Sequence, residues 1–252
     1  MNSPKWPTFD PSLFAAGPAR DARFTVVNQW KDCAHFADGD EKKTTEFLHR
    51  QMNEEINGME NAAQSLADFP DAEWDVRMSM ARQCSDEARH VMIFKRLFEK
   101  RGGKIGQYPV MNFQFRIITN IDNLPGRLAV QNRSFEAEGV DAVEPEIEAC
   151  RRRGDHELAD LFDAQLADEI CHVRFANEYI SFKAKKEPRS VMQVGRALNY
   201  GGQAFVNVMG EEVIQNVQYG TNQKGRLEAG FKPEEVKFAA EQRARKTQEV
   251  GD

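Results

Sequence analysis

The chain has 252 residues, of which 40% are hydrophobic and 29% charged, and its formal net charge is −6 at pH 7. This length is ample for a compact core, and the acidic balance argues against a general electrostatic attraction to nucleic acid. No stretch approaches the roughly 18 apolar residues that a membrane-spanning helix requires, so we expect no membrane segment.

The N-terminus and the cysteines predict a cytoplasmic protein. The first residues lack the charged segment and apolar run of a signal peptide, so we expect none. The cysteines have neither a C-x-x-C motif nor the spacing of a disulfide framework, which favours a reducing compartment. They are Cys33, Cys84, Cys150 and Cys171.

Two long helices are predicted after the first 40 residues. The first covers about residues 45–69, because its apolar residues recur at threes and fours and threonines near residue 45 can cap its first turn. Pro70 ends it, since the residue before a proline avoids the α region. Asp71 is then predicted to cap a second helix over about residues 72–101.

Two more long helices follow a connection over residues 104–125, which is too long for a hairpin turn and contains a short helical segment. The third helix reaches from about residue 126 to 152, with irregularities expected at Gly139 and Pro145. The fourth covers about residues 155–184 and follows a tight turn.

These elements predict an all-α fold, a ferritin-like four-helix bundle with one long crossover between its second and third helices. Residues 1–40, which are proline-rich and aperiodic, are predicted to form an irregular N-terminal arm. Residues 41–186 would form the bundle, and residues 187–252 would form extra C-terminal helices that pack on it.

The most informative pattern is a repeated Asp-Glu-x-x-His-Val motif on the second and fourth predicted helices. A Glu and a His three residues apart lie on one face of a helix, so their side chains can bind one ion together. A single Glu-x-x-His arises often by chance, whereas two matched copies do so far less often. The copies are Asp86-Glu87-Ala88-Arg89-His90-Val91 and Asp168-Glu169-Ile170-Cys171-His172-Val173.

The first and third predicted helices carry a second repeat, Glu-x-x-Gly-x-acid. It reads Glu55-Ile-Asn-Gly58-Met-Glu60 in one and Glu136-Ala-Glu-Gly139-Val-Asp141 in the other. The spacing to the first motif is similar in both halves, since Glu87 follows Glu55 by 32 residues and Glu169 follows Glu136 by 33.

The distance of each carboxylate from the turn that joins its two helices indicates which acids can bind the same metal ion. Glu55 and Glu87 lie roughly 21 and 24 Å from the turn that joins their helices, and Glu136 and Glu169 roughly 24 and 21 Å from theirs. Glu60 lies only about 14 Å from its turn, which favours Glu55 as the ligand, although Glu60 remains an alternative.

Other acids near the motifs have different predicted roles. Glu54 and Glu138 lie at heights close enough to remain alternatives, but the internal repeat favours their neighbours. Glu60 and Asp141 are predicted to surround the ligands rather than bind metal directly.

The predicted ligand set combines four carboxylates with two imidazoles. This mixture of oxygen and nitrogen donors suits iron or manganese better than a thiolate-preferring zinc site. Two divalent ions would balance four carboxylates, which would otherwise repel one another in a poorly solvated core. The predicted ligands are Glu55, Glu87, His90, Glu136, Glu169 and His172, and we predict no catalytic residue beyond them.

This pattern resembles the ferritin-like diiron carboxylate superfamily, in which two helices each supply a Glu and two others each supply Glu-x-x-His. The resemblance covers about residues 45–184 and is to a bacterial branch with two Asp-Glu-x-x-His motifs. It implies two iron ions, or a Mn/Fe pair, and O₂ as a substrate. It also implies that Asp168 accepts a hydrogen bond from His90 and Asp86 from His172, which would fix each imidazole tautomer.

The resemblance implies a dinuclear non-haem iron oxidase or oxygenase that oxidises or hydroxylates a small organic substrate. An electron donor and a homo-oligomer are compatible with this reading. The arm and the C-terminal extension favour it, because they can cover the metals, and we predict a largely apolar cavity walled partly by residues 187–220. The alternatives are a ferroxidase or other iron-handling protein and a tRNA-modifying hydroxylase, the latter disfavoured by the lack of a basic-aromatic patch.

Overall fold

The computed structural model describes residues 6–37, 39–211 and 219–251, with side chains described as far as residue 245. Within these ranges the protein is helical and contains no β-strand, only an isolated parallel bridge between Val26 and Val110. The prediction of an all-α fold is therefore confirmed. None of the described helices is both long and apolar enough to cross a membrane.

The chain divides into two compact units, each of which contains one long helical hairpin. The first unit comprises Met1–Asp122 and Tyr200–Glu211, and the second comprises Asn123–Asn199 and Glu212–Asp252. The joining of the two hairpins into one four-helix bundle remains a prediction.

The first unit is built on α1 (Glu41–Asp68), α2 (Trp74–Lys100) and α3 (Phe113–Ile118). The carboxylate of Asp40 accepts a hydrogen bond from the Lys42 amide and starts α1 four residues before the predicted position. α1 and α2 pack as an antiparallel pair. Their apolar interior consists of large, fully buried side chains, including Leu48, Met52, Met80, Phe94, Leu97 and Phe98.

The connection between α2 and α3 is fixed to α1 by two buried amides. The Nδ2 atoms of Asn53 and Asn57 donate to the carbonyl of Met111 over 2.6 and 3.2 Å. The imidazole Nε2 of His49 accepts a hydrogen bond from the Gly106 amide over 2.9 Å. Polar groups on α1 therefore position the crossover directly.

The N-terminal arm contacts both this connection and α3. Backbone hydrogen bonds join Ala15 to Arg116 and Val27 to Val110 over 2.9 and 2.8 Å. The arm also reaches α1, because a guanidinium nitrogen of Arg20 lies 2.5 Å from a carboxylate oxygen of Glu60.

The second unit begins with a helical run that changes its hydrogen-bond pattern midway. The run comprises α4 (Leu124–Val130), a π-helical turn (Gln131–Glu136) and α5 (Ala137–Arg153). The irregularity thus precedes both predicted positions, because α5 continues through Gly139 and Pro145. Gly154 ends α5 with a φ of 76°, in the left-handed region that favours glycine.

The remaining helices are α6 (His156–Lys186), α7 (Arg189–Met209), α8 (Gln223–Glu228) and α9 (Pro233–Gly251). Side chains near α8 and α9 pack against the α5–α6 hairpin. The buried cluster contains Ala137, Val140, Ile170, Val173, Ala229, Phe231 and Val236.

An ion-pair network also anchors this C-terminal region. The guanidinium of Arg226 lies 2.6 Å from a carboxylate oxygen of Asp141, and that of Arg243 lies 2.9 Å from it. The backbone amide of Asn222 donates to the same carboxylate over 2.9 Å. The Asp141 side chain is fully buried, so these partners replace its hydration.

We expect Asp141→Asn to destabilise the protein. Because the change removes the closest counter-charge of the buried Arg226 guanidinium, the free energy of unfolding should fall by about 3 kcal/mol. Urea denaturation measures this change. Glu148→Gln is the matched control, since the Glu148–Arg152 pair is exposed and its loss should cost less than about 1 kcal/mol. Equal stabilities for the two variants would contradict the anchoring role of Asp141.

Candidate metal centre

The α1–α2 hairpin brings three of the predicted ligands together. The Nδ1 atom of His90 lies 3.2 Å from Oε2 of Glu55 and 3.3 Å from Oε2 of Glu87. All three side chains are buried, and one donor atom of each lies within 4.8 Å of the others. We call Glu55, Glu87 and His90 the first triad.

Neighbouring residues on both helices shape the first triad. Gln83, one turn before Glu87, donates from Nε2 to Oε1 of Glu87 over 3.1 Å. On α1, a Cβ atom added to Gly58 would lie 3.0 Å from Cδ and 3.1 Å from Oε1 of Glu87. The missing side chain at position 58 therefore makes room for the Glu87 carboxylate.

Burial makes negative charge costly in this cluster. Desolvation raises the pKa of Glu55 to about 7, partly opposed by the hydrogen bond from His90 and reinforced by the charge of Glu87. Desolvation likewise raises the pKa of Glu54 to about 8, although Arg50 acts in the opposite direction. A bound cation would stabilise the ionised carboxylates.

The second unit contains a corresponding group. Glu169 and His172 lie on α6, and Nδ1 of His172 is 3.3 Å from Oε2 of Glu169. Glu136 lies at the end of the π-helical turn, with a carboxylate oxygen within 4.8 Å of donor atoms of the other two. Glu136, Glu169 and His172 form the second triad, and only Glu136 is not fully buried.

The π-helical turn contributes to the setting of the second triad. Asn132 in this turn donates from Nδ2 to the backbone carbonyl of His172 over 3.1 Å. A π-helical turn shifts the following side chains around the helix axis relative to a regular α-helix, and such turns are frequent at functional sites. Glu136 is the last residue of this turn.

The aspartates that precede the two histidine motifs have separate environments. Asp86 forms ion pairs with Arg82 and Arg89 of its own helix, over 3.3 and 3.0 Å. Asp168 is half-buried. Their predicted hydrogen bonds to His172 and His90 remain predictions.

The other acids considered from the sequence lie outside the triads. Glu60 pairs with Arg20, and Asp141 pairs with Arg226 and Arg243. Among the described residues, Glu54 does not join Glu87 and His90.

Some residues that contact the triads or the nearby acids could not be predicted from the sequence. Arg20 lies in the aperiodic arm, forty residues before its partner Glu60. Asn132 lies in a segment that reads as an ordinary helix. Only Gln83, four residues before Glu87 and thus on the same helix face, follows a recognisable spacing.

Fold and site together define a class of protein: an all-helical chain with buried clusters of Glu and His that can hold metal ions. A family model described as protein of unknown function, DUF455, matches residues 5–237. The chain belongs to this family, and the match includes the arm, both hairpins and most of the C-terminal region. No curated protein and no solved structure matches the chain.

Proposed function

We propose that the protein is a dinuclear non-haem iron enzyme of the ferritin-like diiron carboxylate type, which uses O₂ to oxidise or hydroxylate a small organic substrate. Each triad would hold one ion, and the two ions would form one centre. The observation that carries the proposal is the occurrence of two triads with the same composition, each with two carboxylates and one imidazole, in which all residues except Glu136 are buried.

The donor atoms of both triads fit divalent iron or manganese. Carboxylate oxygens and imidazole nitrogens suit these ions, and the same nitrogen, Nδ1, faces the carboxylates in both cases. Four carboxylates carry a charge of −4, which two divalent ions would balance. This balance explains how a buried core tolerates so many acids.

Bound iron would supply the electrons that reduce O₂. The protein residues would hold the ions and limit the access of water. Gln83 would orient Glu87 through its hydrogen bond. The second triad would be shielded from water by Ile170 and Val173, which are buried and adjoin Glu169 and His172 in the sequence.

We expect a largely apolar cavity beside the metals, walled partly by residues from 187 to 220. Of the apolar residues expected there, Val213 and Ile214 lie outside the described residues.

The reaction of the ferrous protein with O₂ tests the proposal. After anaerobic loading with about two ferrous ions per chain, an oxidase is expected to react once with its bound pair and then stop until substrate or reductant is added. Stopped-flow absorption and an O₂ electrode measure this stoichiometry. Continued oxidation of excess iron with deposition of ferric mineral would reject the oxidase and establish iron handling instead.

The two repeated glycines provide a test of ligand geometry. Gly58→Ala should weaken Mn²⁺ binding roughly tenfold, because the added methyl group displaces the Glu87 carboxylate. Gly139→Ala is the matched control, since a Cβ there meets nothing within 4 Å among the described residues. Titration of both apoproteins with Mn²⁺ compares them, and equal affinities would contradict the spacing role of Gly58.

A further inference from the structure

A buried polar stripe follows α1 beside the first triad. Four polar side chains recur at intervals of three, four and four residues, which places them on one face of the helix over roughly 16 Å. We call this stripe the α1 ladder, and it consists of the half-buried Glu54 and the buried Asn57, Asn61 and Ser65.

Each residue of the ladder has at least one buried polar atom without a hydrogen-bond partner among the described residues. Both amide atoms of the fully buried Asn61 are in this state. So are Oε2 of Glu54, Oδ1 of Asn57 and Oγ of Ser65. A buried polar atom without a partner costs free energy, so a row of them indicates contact with water or with a ligand.

The ladder passes directly beside the Glu87 carboxylate. Gly58 lies four residues after Glu54 and three before Asn61, and is therefore a surface neighbour of both on α1. The Glu87 carboxylate lies against Gly58, 3.1 Å from the position of a Cβ there. The row of oxygen atoms thus adjoins the first triad.

The other end of the ladder approaches an exposed acidic turn. Ser65 is one turn from the C-terminus of α1, and the turn to α2 is rich in carboxylates. Its exposed acids are Asp68, Asp71, Glu73 and Asp75. A cluster of this sign raises the local concentration of cations.

We propose that the α1 ladder is the route by which a divalent metal ion passes from the acidic turn to the first triad, an inference that rests on the proposed metal-binding function. The oxygen atoms of the ladder favour a cation as the species that moves along it. Carboxylate, amide and hydroxyl oxygens are ligands for hard divalent ions and can replace part of a hydration shell. A fully buried triad requires such a route, because an ion cannot shed its whole hydration shell at once in an apolar core.

The rate of metal loading tests this route. Apoprotein is mixed with excess Co²⁺, and the visible absorption of bound Co²⁺ is followed by stopped flow. Asn61→Leu should slow loading roughly tenfold, the effect of losing one polar contact in the rate-limiting step. The final stoichiometry and affinity should be unchanged, because Asn61 is not a ligand. Asp71→Asn combined with Asp75→Asn should slow loading at low ionic strength and reduce its salt dependence.

Controls separate the route from folding and from the metal site itself. Gln64→Leu makes the same chemical change on α1 but removes a hydrogen bond to exposed Asp68, and it should load at the wild-type rate. If Asn61→Leu does not fold, Ser65→Ala gives the test with a smaller change. If both ladder variants loaded at the wild-type rate, the ladder would not be the route of the metal ion. Its polar atoms would then be explained as binding water. Failure of the wild-type protein to bind Co²⁺ at all would instead overturn the metal-binding function.

Discussion

The apoprotein is expected to bind about two ferrous ions per chain after anaerobic loading, one for each triad. Glu169→Ala should reduce this stoichiometry, because the second triad then retains one carboxylate and one imidazole. With fewer charged donors, the remaining ligands hold a hard cation weakly. Elemental analysis after gel filtration measures the bound iron.

The control for this variant is Glu178→Ala, which removes an exposed carboxylate from the same helix and should leave two ions bound. A tight stoichiometry of one ion, unaltered by Glu169→Ala, would reject a dinuclear centre. Retention of one tight ion in Glu169→Ala alone would show that the two triads bind metal independently.

The positions of the long helices were predictable where local chemistry marks their ends. Pro70 and Gly154 end α1 and α5 close to the expected residues, because proline and glycine act through the backbone itself. The start of α1 was missed because its cap, Asp40, precedes the periodic region. Thr45, one of the expected caps, instead binds the Lys42 carbonyl within the first turn.

The π-helical turn at Gln131–Glu136 had no predictable signature. Glycine and proline drew attention to positions 139 and 145, yet α5 continues through both. A π-helical turn is rare and occurs mostly as a single turn inside an α-helix, so α-helical periodicity does not reveal it. The exact register of Glu136 could therefore not be read from the sequence.

The pairing of Glu55 with Glu87 and His90 was predicted from two features together. Similar heights above a turn bring side chains together, and the internal repeat favoured Glu55 over Glu54. The roles of Glu60 and Asp141 did not follow. Their partners, Arg20 and Arg226, are distant in the chain, and no periodicity connects them. Long-range ion pairs depend on the tertiary fold, which local patterns do not specify.

Substitutions of two carboxylates on α1, Glu55 and Glu60, should have opposite effects on metal affinity and on the stability of the apoprotein. Glu55→Ala is expected to weaken Mn²⁺ binding by more than about a hundredfold, because losses of this size already follow the removal of residues that only support a ligand. The same change should not destabilise the apoprotein, since it removes a buried carboxylate that lies near Glu87. Metal titration and urea denaturation measure the two effects.

Glu60→Ala should produce the opposite pattern. Its loss leaves the buried guanidinium of Arg20 without its ion-pair partner, so the free energy of unfolding should fall by about 2 kcal/mol or more. Mn²⁺ affinity should remain within about threefold of wild type, because Glu60 lies outside the first triad. If Glu60→Ala alone abolished binding while Glu55→Ala did not, the ligand on α1 would be Glu60, and the assignment of the first triad would be wrong.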